Sequence, residues 1–104
     1  MTAHALFITH RTVPGRRDAV RAVWEKHMAP AVEGNPDHLA YYYCFYQTDA
    51  DVLRVFQLYR NEAAAAAFLQ HPNYVAYLGE VEALLAGAPE VHAATPQWQK
   101  KRVS

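Results

Sequence analysis

The segment Leu39-Ala-Tyr-Tyr-Tyr-Cys-Phe-Tyr-Gln47 decides how this chain folds. Successive side chains of a β-strand point to opposite faces, so both faces of this strand carry aromatic or other apolar groups. One face has Tyr41, Tyr43 and Phe45, and the other has Tyr42, Cys44 and Tyr46. A strand with one solvated face alternates apolar and polar residues, so this pattern predicts packing on both sides. We expect the chain's own helices to cover one face and a second copy of the protein to cover the other.

Size and composition narrow the class of protein. A chain of 104 residues with 52% hydrophobic content predicts one domain over 1–104, with a core at about 5–98 and a tail at 99–104. Ten basic and ten acidic side chains balance, which argues against a nucleic acid or an anionic membrane as partner. We see no signal-peptide pattern and no apolar run of the ~20 residues that span a bilayer. A single cysteine, Cys44, excludes an internal disulfide and favours the cytoplasm.

The first half of the chain predicts a strand followed by a helix. The run 5–13 is β-branched and aromatic, which favours a strand, and Pro14 and Gly15 end it. From Arg16 apolar residues recur at helical spacing, which predicts an amphipathic helix. Because Pro30 removes one helix hydrogen bond, we expect this helix to kink or end near Ala29.

The second half predicts a hairpin, two helical segments and a last strand. The aromatic strand and 52–59 are joined by a short polar link, which indicates a β-hairpin. Asn61 is a good N-cap for an alanine-rich helix, and Pro72 predicts a break before a second helical segment that reaches Gly87. A weak strand follows at 90–95.

The order βαββαβ predicts an α+β, ferredoxin-like fold with a four-stranded antiparallel sheet. Right-handed crossovers place both helices on one face of this sheet. The other face then exposes an apolar patch larger than monomers tolerate, so we expect a homodimer in which two sheets pack together.

Motifs of strong catalytic or metal-binding chemistry are not found in the sequence. It has no cysteine pair, His-Glu-x-x-His motif, glycine-rich phosphate loop or nucleophile elbow. The six histidines have no metal-ligand spacing, so we expect no metal site.

Two histidines are candidates for a functional site. His10 shares a strand face with Leu6 and Ile8, and an apolar setting favours a neutral imidazole that acts as acid, base or hydrogen-bond donor. The alternative is a buried histidine with one structural partner. His71 precedes Pro72 and either points at the mouth of a pocket or sits at a helix C-terminus, where a cationic ring is favoured.

Aromatic residues and an arginine are candidates for holding a ligand. Tyrosine rings and hydroxyls can orient a polycyclic or quinone-like molecule, although most are expected in the core or the dimer interface. The tyrosines considered are Tyr41, Tyr43, Tyr46, Tyr59, Tyr74 and Tyr77. Trp24, on the apolar stripe of the first helix, is expected in the same site. Arg54 can neutralise a phenolate or carboxylate, or else form a surface ion pair.

These features together resemble the antibiotic biosynthesis monooxygenase family. The resemblance extends from about residue 5 to 98 and is most specific in the third strand and the helices after it. Members of the family often read Glu-x-Trp, Ala-His-Leu and Pro-His-Phe there. The matching positions are Gln57-Leu58-Tyr59, Ala67-Phe68-Leu69 and Pro72-Asn73-Tyr74.

The resemblance implies a dimeric α+β barrel with one pocket per subunit between sheet and helices. It also implies either cofactor-free oxygenation of aromatic polyketides or quinols, or haem degradation. Tyr59 stands at the usual Trp, which keeps an aromatic wall, whereas Phe68 and Asn73 replace two histidines. His10 matches the position of an Asn in haem-degrading relatives.

We therefore predict an oxidoreductase, a cofactor-independent monooxygenase that oxidises a polycyclic phenol or quinol with O2. The predicted catalytic residues are His10 and Tyr59, and the predicted substrate-binding residues are Tyr74, Phe68, Asn73, Arg54, Trp24 and His71. One alternative is a haem-binding or haem-degrading protein with His10, His71 or His92 as axial ligand. The other is a non-catalytic dimeric module that binds a small molecule.

Overall fold

Four antiparallel strands form the sheet in this computed structural model, which describes residues 2–100. The strand order is β2-β3-β1-β4 and every neighbouring pair is antiparallel. The strands are β1 (His4–Arg11), β2 (His38–Phe45), β3 (Val52–Tyr59) and β4 (Glu90–Ala94). The predicted α+β, ferredoxin-like arrangement is confirmed. The predicted tail 99–104 lies mostly outside the described residues.

Three helices cover one face of the sheet. They are α1 (Arg17–Glu33), α2 (Glu62–Phe68) and α3 (Pro72–Val81), and a 3-10 turn at Glu82–Leu84 follows. Asn61 caps α2 as predicted, because its side-chain oxygen accepts a hydrogen bond from the backbone nitrogen of Ala64 at 2.8 Å. The predicted break before Pro72 is confirmed too. None of the helices within 2–100 is long and apolar enough to cross a membrane.

We predicted that α1 kinks or ends near Ala29, and the predicted end is wrong, since the helix continues through Pro30 to Glu33. Proline removes its own N–H donor and its ring crowds the preceding turn, but the carbonyl of Pro30 still accepts a hydrogen bond from the backbone nitrogen of Gly34 at 3.1 Å. Met28 and Ala31 are both buried in the core on either side of the proline. Packing therefore holds the last turn of α1 in place.

The β2–β3 hairpin sets which aromatic rings face the helices. Tyr41, Tyr43 and Phe45 pack against the core, as predicted, while Tyr42 points away from it and is 63% exposed. A register shift between His38 and Ala40 marks a β-bulge. An extra residue in a strand changes the side-chain alternation. Residues three positions apart point to opposite faces of a regular strand. Because of the bulge, the rings of His38 and Tyr41 instead lie close together, with their centroids 5.6 Å apart.

The face of the sheet that carries no helix, which we call the open face, exposes an aromatic row. The ring centroids of Phe7 and Phe56 are 5.2 Å apart, and those of Phe56 and Tyr42 are 6.1 Å apart. Phe7 is 43% exposed. The structure thus leaves uncovered the apolar surface that the sequence pattern predicts.

Candidate active site

A cavity of about 700 Å3 lies between the sheet and the helices α1 and α3. Its walls are mainly aromatic and aliphatic, which is typical of small-molecule sites. The residues from the sheet include Ile8, His10, Tyr41, Tyr43, Leu53, Val55, Gln57 and Val91, and those from the helical side include Trp24, Met28, Tyr74, Tyr77, Leu78, Val81 and Glu82. The size and the walls suit a flat ring system with few polar groups.

Two buried polar atoms in this cavity wall have no hydrogen-bond partner among residues 2–100. They are the imidazole Nε2 of His10 and the hydroxyl oxygen of Tyr43. Buried polar atoms are almost always paired in proteins, because an unpaired one has lost its water without compensation. Their residues line the cavity but the atoms themselves have almost no exposed surface, so a bound molecule can pair with them after a small rotation of each side chain.

Burial controls the protonation of both groups. Desolvation lowers the pKa of His10 below its ordinary value of 6.5, and the nearby Gly87 backbone offsets part of this effect. The ring is therefore neutral at pH 7. Desolvation strongly raises the pKa of Tyr43, so its hydroxyl stays protonated and acts as a hydrogen-bond donor.

Trp24 fixes the neighbouring tyrosine. Its indole Nε1 donates a hydrogen bond to the Tyr41 hydroxyl at 3.0 Å, and its ring centroid lies 4.6 Å from that of Tyr43. Burial raises the pKa of Tyr41 well above its usual range. Of the residues predicted for the site, His10, Trp24 and Tyr74 thus line the cavity together.

Tyr59 and Phe68 lie beside the cavity, inside the core. Tyr59 is 2% exposed and its hydroxyl donates to Oε1 of Gln57 at 2.6 Å. The Phe68 ring packs against Tyr59 and His71, with centroids 6.4 and 5.5 Å away. Neither ring is part of the cavity wall. Their predicted direct contact with substrate is therefore not supported by this geometry.

The other three predicted residues are not part of the cavity wall either. The Nδ1 atom of His71 accepts a hydrogen bond from the backbone nitrogen of Asn73 at 3.0 Å, so His71 caps the N-terminus of α3 rather than the C-terminus of a helix. The Asn73 side chain donates to the carbonyl of His27 at 2.9 Å. Arg54 lies on the open face, with its guanidinium carbon 5.7 Å from the ring centroid of Tyr46.

Tyr41, Tyr43 and Tyr77 line the cavity; the sequence offered them as ligand-holding candidates, but the predicted site residues did not include them. Gln57 lines it too and was not predicted for the site. Strand alternation already places Tyr41 and Tyr43 on one face. The signal that would have selected them is that His10, on a strand of the same sheet, has to face the same helices. Strand alternation places Gln57 on the same face as Val55 and Tyr59, and this is the signal that could have selected it.

Among residues 2–100, no three histidine, cysteine, aspartate or glutamate side chains are grouped so that they could hold a metal ion. Of the three histidines considered as haem ligands, only His10 lines the cavity. His71 is engaged as a helix cap, and the side chain of His92 is 74% exposed.

The fold and the cavity define a ferredoxin-like α+β protein with a cavity between its sheet and its helices. The family model for antibiotic biosynthesis monooxygenase matches residues 4–80, and the chain belongs to this family. No curated protein is a significant match to the sequence.

Solved structures share the fold at low sequence identity. The NE2512 protein from Nitrosomonas europaea, of unknown function, is 20% identical, with a TM-score of 0.82 over 100% of this chain and 98% of that one. A protein from Chloroflexus aurantiacus J-10-fl, provisionally described as an antibiotic biosynthesis monooxygenase, is 21% identical, with a TM-score of 0.83 over 96% and 98%. Rv0793 from Mycobacterium tuberculosis is 22% identical, with a TM-score of 0.82 over 96% and 100%.

Proposed function

We propose that this chain is a cofactor-independent monooxygenase that oxidises a polycyclic phenol or quinol with O2 in the cavity. The observation that carries the proposal is the pair of unpartnered polar atoms, His10 Nε2 and the Tyr43 hydroxyl, in an otherwise aromatic wall. Aromatic walls bind the rings of such a substrate, and the two polar atoms match its oxygens.

His10 is the proposed base. A neutral imidazole can accept the phenolic proton at Nε2, and the resulting phenolate is rich enough in electrons to reduce O2 itself. A carbon–oxygen bond forms at a ring carbon that carries hydrogen, and protonated His10 returns its proton to the new peroxide oxygen. Loss of that carbon's hydrogen and of hydroxide, which leave together as water, breaks the O–O bond and forms a carbonyl. Phenol and O2 thus give quinone and water, with all atoms accounted for.

The tyrosines Tyr41 and Tyr43 orient the substrate in this proposal. Tyr43 keeps its proton, so its hydroxyl donates to a carbonyl or phenolate oxygen of the ligand. The Tyr41 hydroxyl oxygen accepts a hydrogen bond from Trp24, so the hydroxyl hydrogen points away from the indole and is left to donate to another group. Tyr74 adds a ring to the wall. Tyr59, proposed from sequence as catalytic, acts in this arrangement only through its hydrogen bond to Gln57.

We further propose that the protein is a homodimer joined through the open face. The support is the aromatic row in which the half-buried Phe56 contacts the exposed Phe7 and Tyr42, since an exposed apolar row is typical of an interface. A two-fold axis through this face would bring two rows together. The free Cys44 favours a reducing compartment such as the cytoplasm.

Oxygen uptake tests the enzymatic proposal. Metal-free protein is mixed with naphthol, naphthohydroquinone or anthrahydroquinone, and O2 consumption is measured above the spontaneous rate. We expect uptake that falls about 100-fold in His10→Ala, as loss of a general base predicts. The matched control is His92→Ala, which removes a histidine from the open face and is expected to keep the rate. Uptake that is equal in the protein and in His10→Ala would overturn the assignment.

Haem binding is the second candidate, and it is favoured by the same nitrogen. The Nε2 atom of His10 is an unpartnered imidazole donor in a cavity, as an axial ligand has to be. Bound haem would supply its own iron–oxygen chemistry, and His10 would hold it. Titration with hemin should then give a Soret shift at one haem per subunit that His10→Ala abolishes. An unchanged spectrum would exclude haem, and ligand-dependent stabilisation without O2 uptake would favour the binding module.

A further inference from the structure

The amide of Gln57 is placed at the boundary between the cavity and a buried polar chain. Gln57 lines the cavity and is only 6% exposed. Its Oε1 atom accepts two hydrogen bonds, from the Tyr59 hydroxyl at 2.6 Å and from the His38 ring at 3.3 Å. Neither Tyr59 nor His38 lines the cavity.

The orientation of the Gln57 amide follows from a chain of hydrogen bonds that begins at the backbone nitrogen of Asp37 and passes through the side chains of Asn35 and His38. The backbone nitrogen of Asp37 donates to Oδ1 of Asn35 at 3.1 Å, so the Asn35 amide must present its nitrogen on the other side. That nitrogen, Nδ2, lies 3.0 Å from Nδ1 of His38 and donates to it. His38 Nδ1 is then an acceptor, and the neutral ring carries its hydrogen on Nε2.

The same reasoning determines which atom of the Gln57 amide faces His38 and Tyr59. The Nε2–H of His38 requires an acceptor, which is Oε1 of Gln57, and the Tyr59 hydroxyl donates to the same oxygen. Burial lowers the pKa of His38, which favours the neutral ring. A neutral ring accepts at Nδ1 from Asn35 and donates from Nε2 to Gln57. Oε1 is bonded to two residues outside the cavity wall, from which we infer that the amide nitrogen of Gln57 faces the cavity; no hydrogen-bond acceptor for it is found among residues 2–100.

We propose that Gln57 is a ligand-binding residue, whose amide nitrogen donates a hydrogen bond to a carbonyl or phenolate oxygen of the bound aromatic molecule. His38 and Tyr59 are positioning residues, because they hold the amide with its oxygen outward and its nitrogen inward. The inference rests on the proposed use of the cavity for an oxygenated aromatic ligand, and it does not depend on turnover. The Gln57 amide nitrogen thus gives the cavity a hydrogen-bond donor, which favours ligands that carry an acceptor oxygen next to it.

The variant Gln57→Glu separates the two halves of this amide. A glutamate carboxylate keeps an oxygen for His38 and Tyr59 and removes the N–H donors that face the cavity, but it also adds a negative charge, whose effect on affinity the hydrocarbon probe measures. The probes are tetralone, which has a ketone, and tetralin, the matched hydrocarbon without it. We expect the affinity for tetralone to fall about tenfold in Gln57→Glu, as loss of a buried hydrogen bond predicts, and that for tetralin to change less than about twofold.

The side-chain amide of Gln57 gives a second measurement that needs no variant at this position. Tetralone should shift the two side-chain amide proton signals of Gln57 in the 1H–15N spectrum, and tetralin should leave them in place. Tyr59→Phe removes one of the bonds that orient the amide, so these signals should move and the preference for tetralone should fall. Tyr46→Phe, a matched loss of a hydroxyl on the open face, should change neither.

Several results would overturn the proposal. They are equal affinity of the protein and Gln57→Glu for tetralone, amide signals that respond alike to both probes, and failure of both probes to bind. Its failure is also distinct from failure of the proposed function. Selective binding of tetralone without O2 uptake from any phenol would refute the monooxygenase and keep the role of Gln57.

Discussion

Replacing Tyr43 by phenylalanine should stabilise the protein, although it removes a polar group from the candidate active site. The Tyr43 hydroxyl is buried and has no hydrogen-bond partner among residues 2–100. In the unfolded chain the same hydroxyl is hydrogen-bonded to water, so folding loses that bond without replacement. Phenylalanine keeps the ring and its contact with Trp24, at 4.6 Å between centroids.

The size of the effect follows from the cost of desolvating a hydroxyl. An unpaired buried polar group costs about 1–3 kcal/mol, and the free energy of unfolding of Tyr43→Phe should rise by about 1 kcal/mol at the low end. A gain of that size corresponds to an increase in Tm of about 4–8 °C for a domain of roughly this length.

Tyr41→Phe is the matched control, with the opposite sign expected. Its hydroxyl accepts a hydrogen bond from Trp24 Nε1 at 3.0 Å, and its removal leaves the indole N–H unpaired. Its free energy of unfolding should therefore fall by about 1–2 kcal/mol. Urea unfolding of the two variants, followed by tryptophan fluorescence, measures both changes. Destabilisation of Tyr43→Phe to the same extent as Tyr41→Phe would refute the claim that the hydroxyl lacks a partner, and with it the main support for the ligand site.

Three further predictions concern association, pH and capping. Phe56→Asp, in the aromatic row, should give a monomer at micromolar concentration by light scattering, whereas Leu69→Asp, at a residue that is 51% exposed outside the sheet, should leave the mass unchanged. Burial lowers the pKa of His10 and His38 below 6.5, so the unfolded state binds more protons and the free energy of unfolding should fall as the pH drops below about 6.5. In the variant His10→Gln, urea unfolding should show a smaller fall over the same range. Asn61→Ala should cost about 1 kcal/mol of the free energy of unfolding in the same assay, because it leaves a backbone N–H of the first turn of α2 unpaired, and Asn61→Asp should restore most of it.

The fold was predictable because its signals are local and repeated. Alternation in 39–47 and the apolar stripe of α1 each recur over several residues, and the breaks at Gly15 and Pro72 agree with them. Pro30 shows the limit of a local rule. Its effect on the helix was opposed by packing on both sides of it, and that packing is a tertiary property that the sequence does not display.

The site was predicted only in part, because the sequence gives the face of a residue and not its depth along the strand. Tyr59 and Gln57 point to the same side of β3, yet Tyr59 is covered by Phe68 and Gln57 reaches the cavity. The difference arises from how closely α2 approaches the sheet. No periodicity encodes that distance.

The alanines of α2 and the aromatic residues of α3 explain where the space is. Buried Ala65 and Phe68 bring α2 close to the end of β3 that carries Tyr59, and that end is filled. Next to the other end of β3, the bulky Tyr77 of α3 and Tyr43 of β2 stand around the cavity. Gln57 lies at the boundary between the filled end and the cavity. The packed core holds the oxygen of its amide, and the amide nitrogen is left to bind a ligand. A rigid core beside a cavity is what a binding group needs in order to keep one orientation before the ligand arrives.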